Sequence, residues 1–323
     1  MGLGKIVVLG TGGTIAGTGA SPTDSHYVAA QRGVADLLAG LPGALLAGFE
    51  LVSEQVAQID SKDMEVAVWQ ALLRRCAHWL AQPEVQGVVV THGTDTAEET
   101  AYLLQSVLAP VKPVVLTCAM RPATAVSADG PQNLLDALAV ACHPDASGVV
   151  LVCAGQIHGA FDVQKLHSWQ LDAFSSGEAG PVGRVRQGQL DLWRNWPVAS
   201  CRFDPVAIEK IATMPAWPRV EIVLSHGAAC GATVDALVAS DVAARSGAAP
   251  VRGLVVAGTG GGTVHQALEA ALRRAQAAGV RVLRSSRCAL GSASARPEDA
   301  FAAAPGLTPV KARLALMLDL LAD

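Results

Sequence analysis

Short, continuous apolar runs recur along the chain at Ile6–Leu9, Val88–Val90, Val114–Leu116 and Val149–Val152, and again at Ile222–Leu224, Leu254–Ala257 and Val280–Leu283. Runs of this length, rich in Val and bounded by Gly or polar turns, predict strands buried on both faces. Helical spacing lies between them. Apolar residues from Val66 to Leu80 follow a helical period, and Thr96-Ala-Glu-Glu99 reads as a capping box ahead of Ala101–Leu108. Asp129-Gly-Pro131 opens Leu134–Cys142, with Pro131 suited to a first turn. Strand–helix alternation of this kind implies an α/β fold with a mostly parallel sheet.

Both periodicities break at residues 190–218, where Trp193-Arg-Asn-Trp-Pro197 and Met214-Pro-Ala-Trp-Pro218 concentrate Trp and Pro. The expected organisation is a larger N-terminal α/β domain over residues 1–195, a linker over 196–217 and a smaller C-terminal α/β domain over 218–323. Charge shifts at the same place. Residues 1–196 carry 11 basic and 18 acidic side chains, whereas 197–323 carry 13 and 10, and the C-terminal excess is nearly all Arg.

Composition narrows the function classes. With 51% hydrophobic and 16% charged residues among 323, the chain is globular. Aromatics are only 4%, so Ala, Val and Leu must build the core. A net charge of −4 argues against a nucleic-acid partner. No stretch approaches the roughly 18 apolar residues of a membrane span. Seven cysteines without a C-x-x-C spacing fit buried thiols in a reducing compartment, and the first strand begins too early for a leader. The expected location is the cytoplasm.

Two segments carry candidate chemistry. Gly10-Thr-Gly-Gly-Thr14-Ile-Ala-Gly17 follows the first strand, and its glycines let the backbone turn sharply and approach a ligand. A dinucleotide fingerprint would need glycine where Ile15 stands, and no G-K-[ST] follows as a phosphate-binding loop requires. Thr91-His-Gly-Thr94-Asp95-Thr96 follows a later strand and sets a hydroxyl and a carboxylate at a helix N-terminus. His92 reads as a packed supporting residue. In open α/β sheets ligands bind outside the carboxyl ends of the strands, so both loops face one crevice. Composition and spacing alone reach no further than a small-molecule site rich in hydroxyls. No metal-ligand spacing occurs, and neither metal nor cofactor is implied.

The two segments together, in this order and separation, resemble the bacterial asparaginase family of threonine amidohydrolases. Further stretches agree: Ile59-Asp-Ser61-Lys-Asp-Met64, Lys112-Pro-Val-Val, Ala119-Met-Arg-Pro, Ser127-Ala-Asp-Gly-Pro-Gln-Asn133, Asp162-Val-Gln-Lys165, Pro181-Val-Gly, Arg284-Ser-Ser-Arg287 and Lys311-Ala-Arg313. The resemblance spans essentially the whole chain. It implies hydrolysis of the side-chain amide of L-asparagine to L-aspartate and ammonia, with L-glutamine, D-asparagine or another amide as alternatives. It also implies a homo-oligomer, a dimer or dimer of dimers, with active sites shared between subunits.

By that resemblance Thr14 matches the nucleophile and Tyr27 the tyrosine that closes over substrate. Thr94, Asp95 and Lys165 match a second catalytic cluster, in which lysine and aspartate support a threonine hydroxyl as His and Asp support Ser in a triad. Ser61, Lys62 and Asp95 match substrate-binding positions. The chain departs from the family in three places. Ser61-Lys62 stands where some members carry Ser-Gln or Ser-Glu, and an inward ammonium would repel the substrate amino group by about 1 to 4 kcal/mol at about 4 Å. Gly261 stands where a neighbouring subunit supplies asparagine. The segment Ser292–Pro305 is shorter, and Glu298 is its candidate acid for the substrate amino group.

Three other readings compete. An amidase subunit of a tRNA-dependent amidotransferase would need a basic patch and an extra domain. A non-catalytic amino-acid-binding regulator would have no use for Thr14, Tyr27, Thr94, Asp95 and Lys165 together. A nucleotide-binding oxidoreductase is disfavoured by Ile15.

Overall fold

The computed structural model describes residues 4–21, 26–41, 49–197, 201–239, 247–297 and 299–323. These form two compact units, Met1–Asp204 and Pro205–Asp323.

The first unit begins with β1 (Gly4–Gly12), the short antiparallel pair β2 (Thr18–Gly19) and β3 (Tyr27–Val28), and α1 (Val34–Ala39). Next come β4 (Phe49–Ile59), α2 (Val66–Leu80), β5 (Val85–Thr91), α3 (Ala97–Leu108), β6 (Val114–Thr117), α4 (Gly130–Ala141) and β7 (Val149–Cys153). The remainder is β8 (Gln156–Gly159), the two-residue strands β9 (Gln164–Lys165) and β10 (Phe174–Ser175), and the hairpin β11 (Gly183–Arg186) with β12 (Gln189–Leu192). One eight-stranded sheet runs in the order β12–β11–β8–β7–β6–β5–β1–β4. The five strands β4, β1, β5, β6 and β7 are parallel, and β8, β11 and β12 extend the sheet in antiparallel fashion.

The apolar runs explain the layering. Ile6, Val8, Val89, Val115 and Val150 face Leu134, Ala137 and Leu138 of α4 in one core cluster. Successive strand residues point to opposite faces, so Val7, Leu9, Val88 and Val90, all fully buried, need cover on the other side. There α2 lies on β4 and β5, and α3 on β7. Helices therefore cover both faces, giving a doubly wound sheet. β1 sits between β4 and β5, so the strand order reverses beside it. Such a reversal opens a crevice at the carboxyl ends of the strands.

Two local expectations change. Thr96 is the N-cap residue of α3, yet its side chain makes no capping bond. Its hydroxyl instead donates to the Ser61 carbonyl at 2.9 Å, tying the helix start to the loop after β4. The stretch 196–217, expected as linker, contains α5 (Pro205–Thr213). Ile211 on this helix is fully buried, so its apolar face behaves as core.

The second unit holds a parallel sheet in the order β13 (Arg219–Leu224), β14 (Val251–Gly258), β15 (Arg281–Ser286), β16 (Ala302–Ala303). Helices α6 (Ala232–Val238) and α7 (Gln266–Ala277) pack together, and Val234, Leu268 and Leu272 join Leu254, Val256 and Val282 in one cluster. Helix α8 (Pro309–Ala322) packs on β13, β14 and β15 and against α5. Arg284 is buried and ties the loops of this unit together. It donates to the carbonyls of Phe301, Gly262 and Ser294 at 3.2, 3.1 and 2.9 Å and pairs with Asp299. The loop that carries Gly261 is thus held from below.

Candidate active site

The loops after β1 and β5 meet at the crevice. Gly10 is paired with Thr91 in the sheet, and the Thr11 hydroxyl donates to the Thr91 carbonyl at 2.9 Å. Gly13 has φ +79°, and a Cβ there would lie 2.4 Å from the Gly93 backbone. Only glycine at this position lets the two loops touch. The contact brings the segment carrying Thr14 against the segment carrying Thr94 and Asp95.

The sequence candidates fall into two hydrogen-bonded groups. Thr14 lies in a single helical turn and is 8% exposed, and its Oγ1 is 2.8 Å from the Tyr27 hydroxyl. Tyr27 is half-exposed on β3, so the hydroxyl that meets Thr14 is carried by a residue at the protein surface. In the second group Lys165 Nζ donates to Thr94 Oγ1 at 2.8 Å and to Asp95 Oδ1 at 2.6 Å. The Lys165 side chain is largely buried while Asp95 stays about half-exposed. A bond to an ionised partner is about twice as strong as a neutral one, so Asp95 fixes the ammonium and the ammonium polarises Thr94.

Ser61 joins the second group. Its Oγ accepts from the Asp95 amide at 3.2 Å, and the residue is almost fully buried. Lys62 does not join. Its Nζ lies 2.5 Å from Asp63 Oδ2 and 3.7 Å from Asp60 Oδ2, and its side chain is exposed. The hydrogen bond to Asp63 raises its pKa. The ammonium is thus engaged by carboxylates of its own turn.

Beneath these groups runs a buried polar chain. His92 is fully buried, and burial pushes its pKa down to about 4, so the ring is neutral. Its Nδ1 is 2.7 Å from the Gly93 carbonyl, which can only accept, so Nδ1 carries the proton. Nε2 then accepts from the Thr100 hydroxyl at 3.0 Å, and Thr100 accepts from Trp69 Nε1 at 2.9 Å. The Gly93 carbonyl is held towards the core, and a trans peptide sends the Thr94 N–H the opposite way. His92 is the supporting residue expected from the sequence, but Trp69 and Thr100 carried no signal beyond helical spacing.

Glu98 was legible only as a helix-start acid. It is buried, and its Oε2 accepts from the Lys165 backbone amide at 2.6 Å.

The chain matches two family descriptions in succession: Asparaginase, N-terminal, over residues 5–198, and Glutaminase/Asparaginase C-terminal domain over residues 219–322. It belongs to the asparaginase family. A glutaminase-asparaginase of Pseudomonas fluorescens biotype A is 38% identical, over 98% of this chain and 86% of that protein. L-asparaginase 2 of Escherichia coli K12 is 35% identical, over 98% of this chain and 89% of its own length. Among solved structures, a probable cytoplasmic L-asparaginase from Campylobacter jejuni is 34% identical with a TM-score of 0.87, covering 98% of this chain and 95% of that one.

Two further positions were singled out in the sequence, Gly261 and Glu298. A Cβ on Gly261 would find Ser294 Oγ at 3.5 Å, an ordinary contact, so the site of the expected asparagine has room for a side chain. Glu298 lies outside the described residues. Among the described residues no helix is long and apolar enough to cross a membrane, and no cluster of three His, Cys, Asp or Glu could hold a metal.

Proposed function

We propose that the chain hydrolyses the side-chain amide of L-asparagine, releasing ammonia and L-aspartate, with Thr14 as nucleophile. The observation that carries this reading is the close pairing of the Thr14 and Tyr27 hydroxyls at 2.8 Å, in a loop packed against the one that presents Thr94. A threonine hydroxyl attacks only when a neighbour takes its proton, and Tyr27 is the group in hydrogen-bond reach. Thr14 Oγ1 adds to the amide carbon and the Thr94 N–H stabilises the developing oxyanion; on collapse the C–N bond breaks, and the amide nitrogen takes the proton that Tyr27 received and leaves as ammonia. Water, polarised through Thr94 and Lys165, then adds to the ester and frees Thr14. Ser61 and Asp95 hold the substrate's α-carboxylate and α-amino group, with Lys62 turned aside to its carboxylates.

L-glutamine belongs to the same reading as a slower substrate. The protein is placed in the cytoplasm, supported by seven cysteines that are all free thiols. It also forms a homo-oligomer in this reading, supported by exposed Val28 beside Tyr27 on β3 and by exposed Leu166 and Trp169 in the loop that follows β9.

The test is ammonia release from L-asparagine, D-asparagine, L-glutamine and simple β-amides, beside a Thr14→Ala control. Release from L-asparagine that disappears in the control is the expected result. Silence on every amino-acid amide by a folded protein would overturn the reaction, and an active control would overturn the nucleophile.

A further inference from the structure

The base of the Lys165 side chain is held as firmly as its tip. Lys165 lies on β9, one edge of which pairs with β10, where the next amide, Leu166 N–H, donates to the Ala173 carbonyl at 2.8 Å. The Lys165 N–H is directed instead to Glu98 Oε2, at 2.6 Å and across 67 residues of sequence. Glu98 is 6% exposed and sits in the first turn of α3, where the helix dipole favours a carboxylate. The residues that receive the ammonium, Thr94 and Asp95, immediately precede the same helix.

We propose that Glu98 is a positioning residue that sets Lys165 for turnover by anchoring its backbone amide to the start of α3. The proposal rests on the reading of Lys165 as a catalytic group. A lysine side chain has four rotatable carbon–carbon bonds, so a fixed acceptor for Nζ does not by itself fix where the arm starts. With the amide held by Glu98 and the ammonium by Thr94 and Asp95, both ends are referred to one rigid helix terminus. Thr94 Oγ1 and Lys165 Nζ then keep their separation while substrate enters and product leaves. Charge is not the essential property, because a glutamine at position 98 can offer its amide oxygen to the same N–H. Reach is essential, because an aspartate is one methylene shorter.

The experiment measures kcat and KM for L-asparagine in Glu98→Ala, Glu98→Gln and Glu98→Asp. Lys165→Met and the double variant Glu98→Ala/Lys165→Met are measured alongside, with circular dichroism confirming the fold. A misplaced catalytic group costs about 10- to 100-fold in rate. That loss is expected in kcat for Glu98→Ala and Glu98→Asp, with KM within about threefold and Glu98→Gln restored to within about threefold of the parent. In the Lys165→Met background, Glu98→Ala should change kcat by less than about twofold, because its effect passes through Lys165.

An unchanged kcat in Glu98→Ala would overturn the proposal. So would an equal loss with and without Lys165, or a glutamine variant as poor as the alanine one. If Glu98→Ala does not fold, the contrast between aspartate and glutamine decides by the same criteria. Full activity in Lys165→Met would instead overturn the catalytic reading of Lys165, and is distinguishable because it does not depend on Glu98.

Discussion

A Cβ placed on Gly13 would stand 2.4 Å from Gly93 Cα, so the loops after β1 and β5 meet backbone to backbone. The two hydroxyl-bearing loops are thereby held at a separation set by main chain and sheet register, which side-chain motion cannot relax. Gly13→Ala combines this overlap with a left-handed φ of +79°. The expected cost is about 2 kcal/mol or more, with turnover lost beyond what the stability change explains. Urea denaturation and ammonia release on the same preparation measure both. An active variant with parental stability would show that the loops separate freely.

Tyr27 touches Thr14 through its hydroxyl and is half-exposed, so Tyr27→Phe should leave the fold intact. If the hydroxyl takes the Thr14 proton, kcat should fall roughly 10²- to 10⁴-fold with KM little changed. A fall of less than twofold would remove Tyr27 from the chemistry.

Lys62 follows the buried Ser61 in the single helical turn Ser61–Asp63. Its ammonium sits on Asp63 and Asp60 at an exposed turn. Lys62→Gln should therefore leave the KM for L-asparagine within about twofold. A KM that drops several-fold would mean that the ammonium swings into the pocket and opposes the substrate amino group.

Burial pushes the pKa of His92 and of His158 down to about 4. An unfolded chain takes up protons on these rings near pH 6.5 that the native state refuses until about pH 4. Their neutral burial therefore favours the native state fully above pH 6.5, and this contribution is lost as pH falls towards 4. Each ring contributes on the order of 3 kcal/mol at most. The urea midpoint should drop between pH 7.5 and pH 4.5. It should drop less in His158→Gln, whose amide can still meet the Ser176 hydroxyl now 2.9 Å from His158 Nδ1. Equal drops in parent and variant would contradict the assignment.

Strands β1, β5, β6, β7 and β14 were legible because burial on both faces writes an unbroken apolar run. β13 was found by its run Ile222–Leu224 but is not buried on both faces, since Ile222 and Leu224 are exposed, and in β15 the exposed Arg281 interrupts the run. β4 was not, since it is the edge strand and Glu50, Ser53 and Glu54 interrupt its apolar residues. β8, β11 and β12 were hidden for a similar reason: each has only four residues, and Gly183–Arg186 alternates buried with exposed. In the site, Thr14, Thr94 and Asp95 stand in glycine-rich motifs that betray a turn after a strand. Lys165 lies 70 residues beyond Asp95 in a stretch without periodicity, so resemblance alone singled it out. Glu98 and Thr96 fitted a helix cap so well that their tertiary bonds had no separate signal.

The place of β9 in the chain also orders events in time. Thr14, Ser61 and Thr94 come into register as soon as β4 and β5 flank β1, early in synthesis from the N-terminus. Lys165 emerges only after β6, α4, β7 and β8, and on the outer edge of a two-residue strand. Both threonine-bearing loops are therefore complete in the chain before the lysine that joins them is made, and a chain ended short of residue 165 would lack the ammonium that meets Thr94 and Asp95.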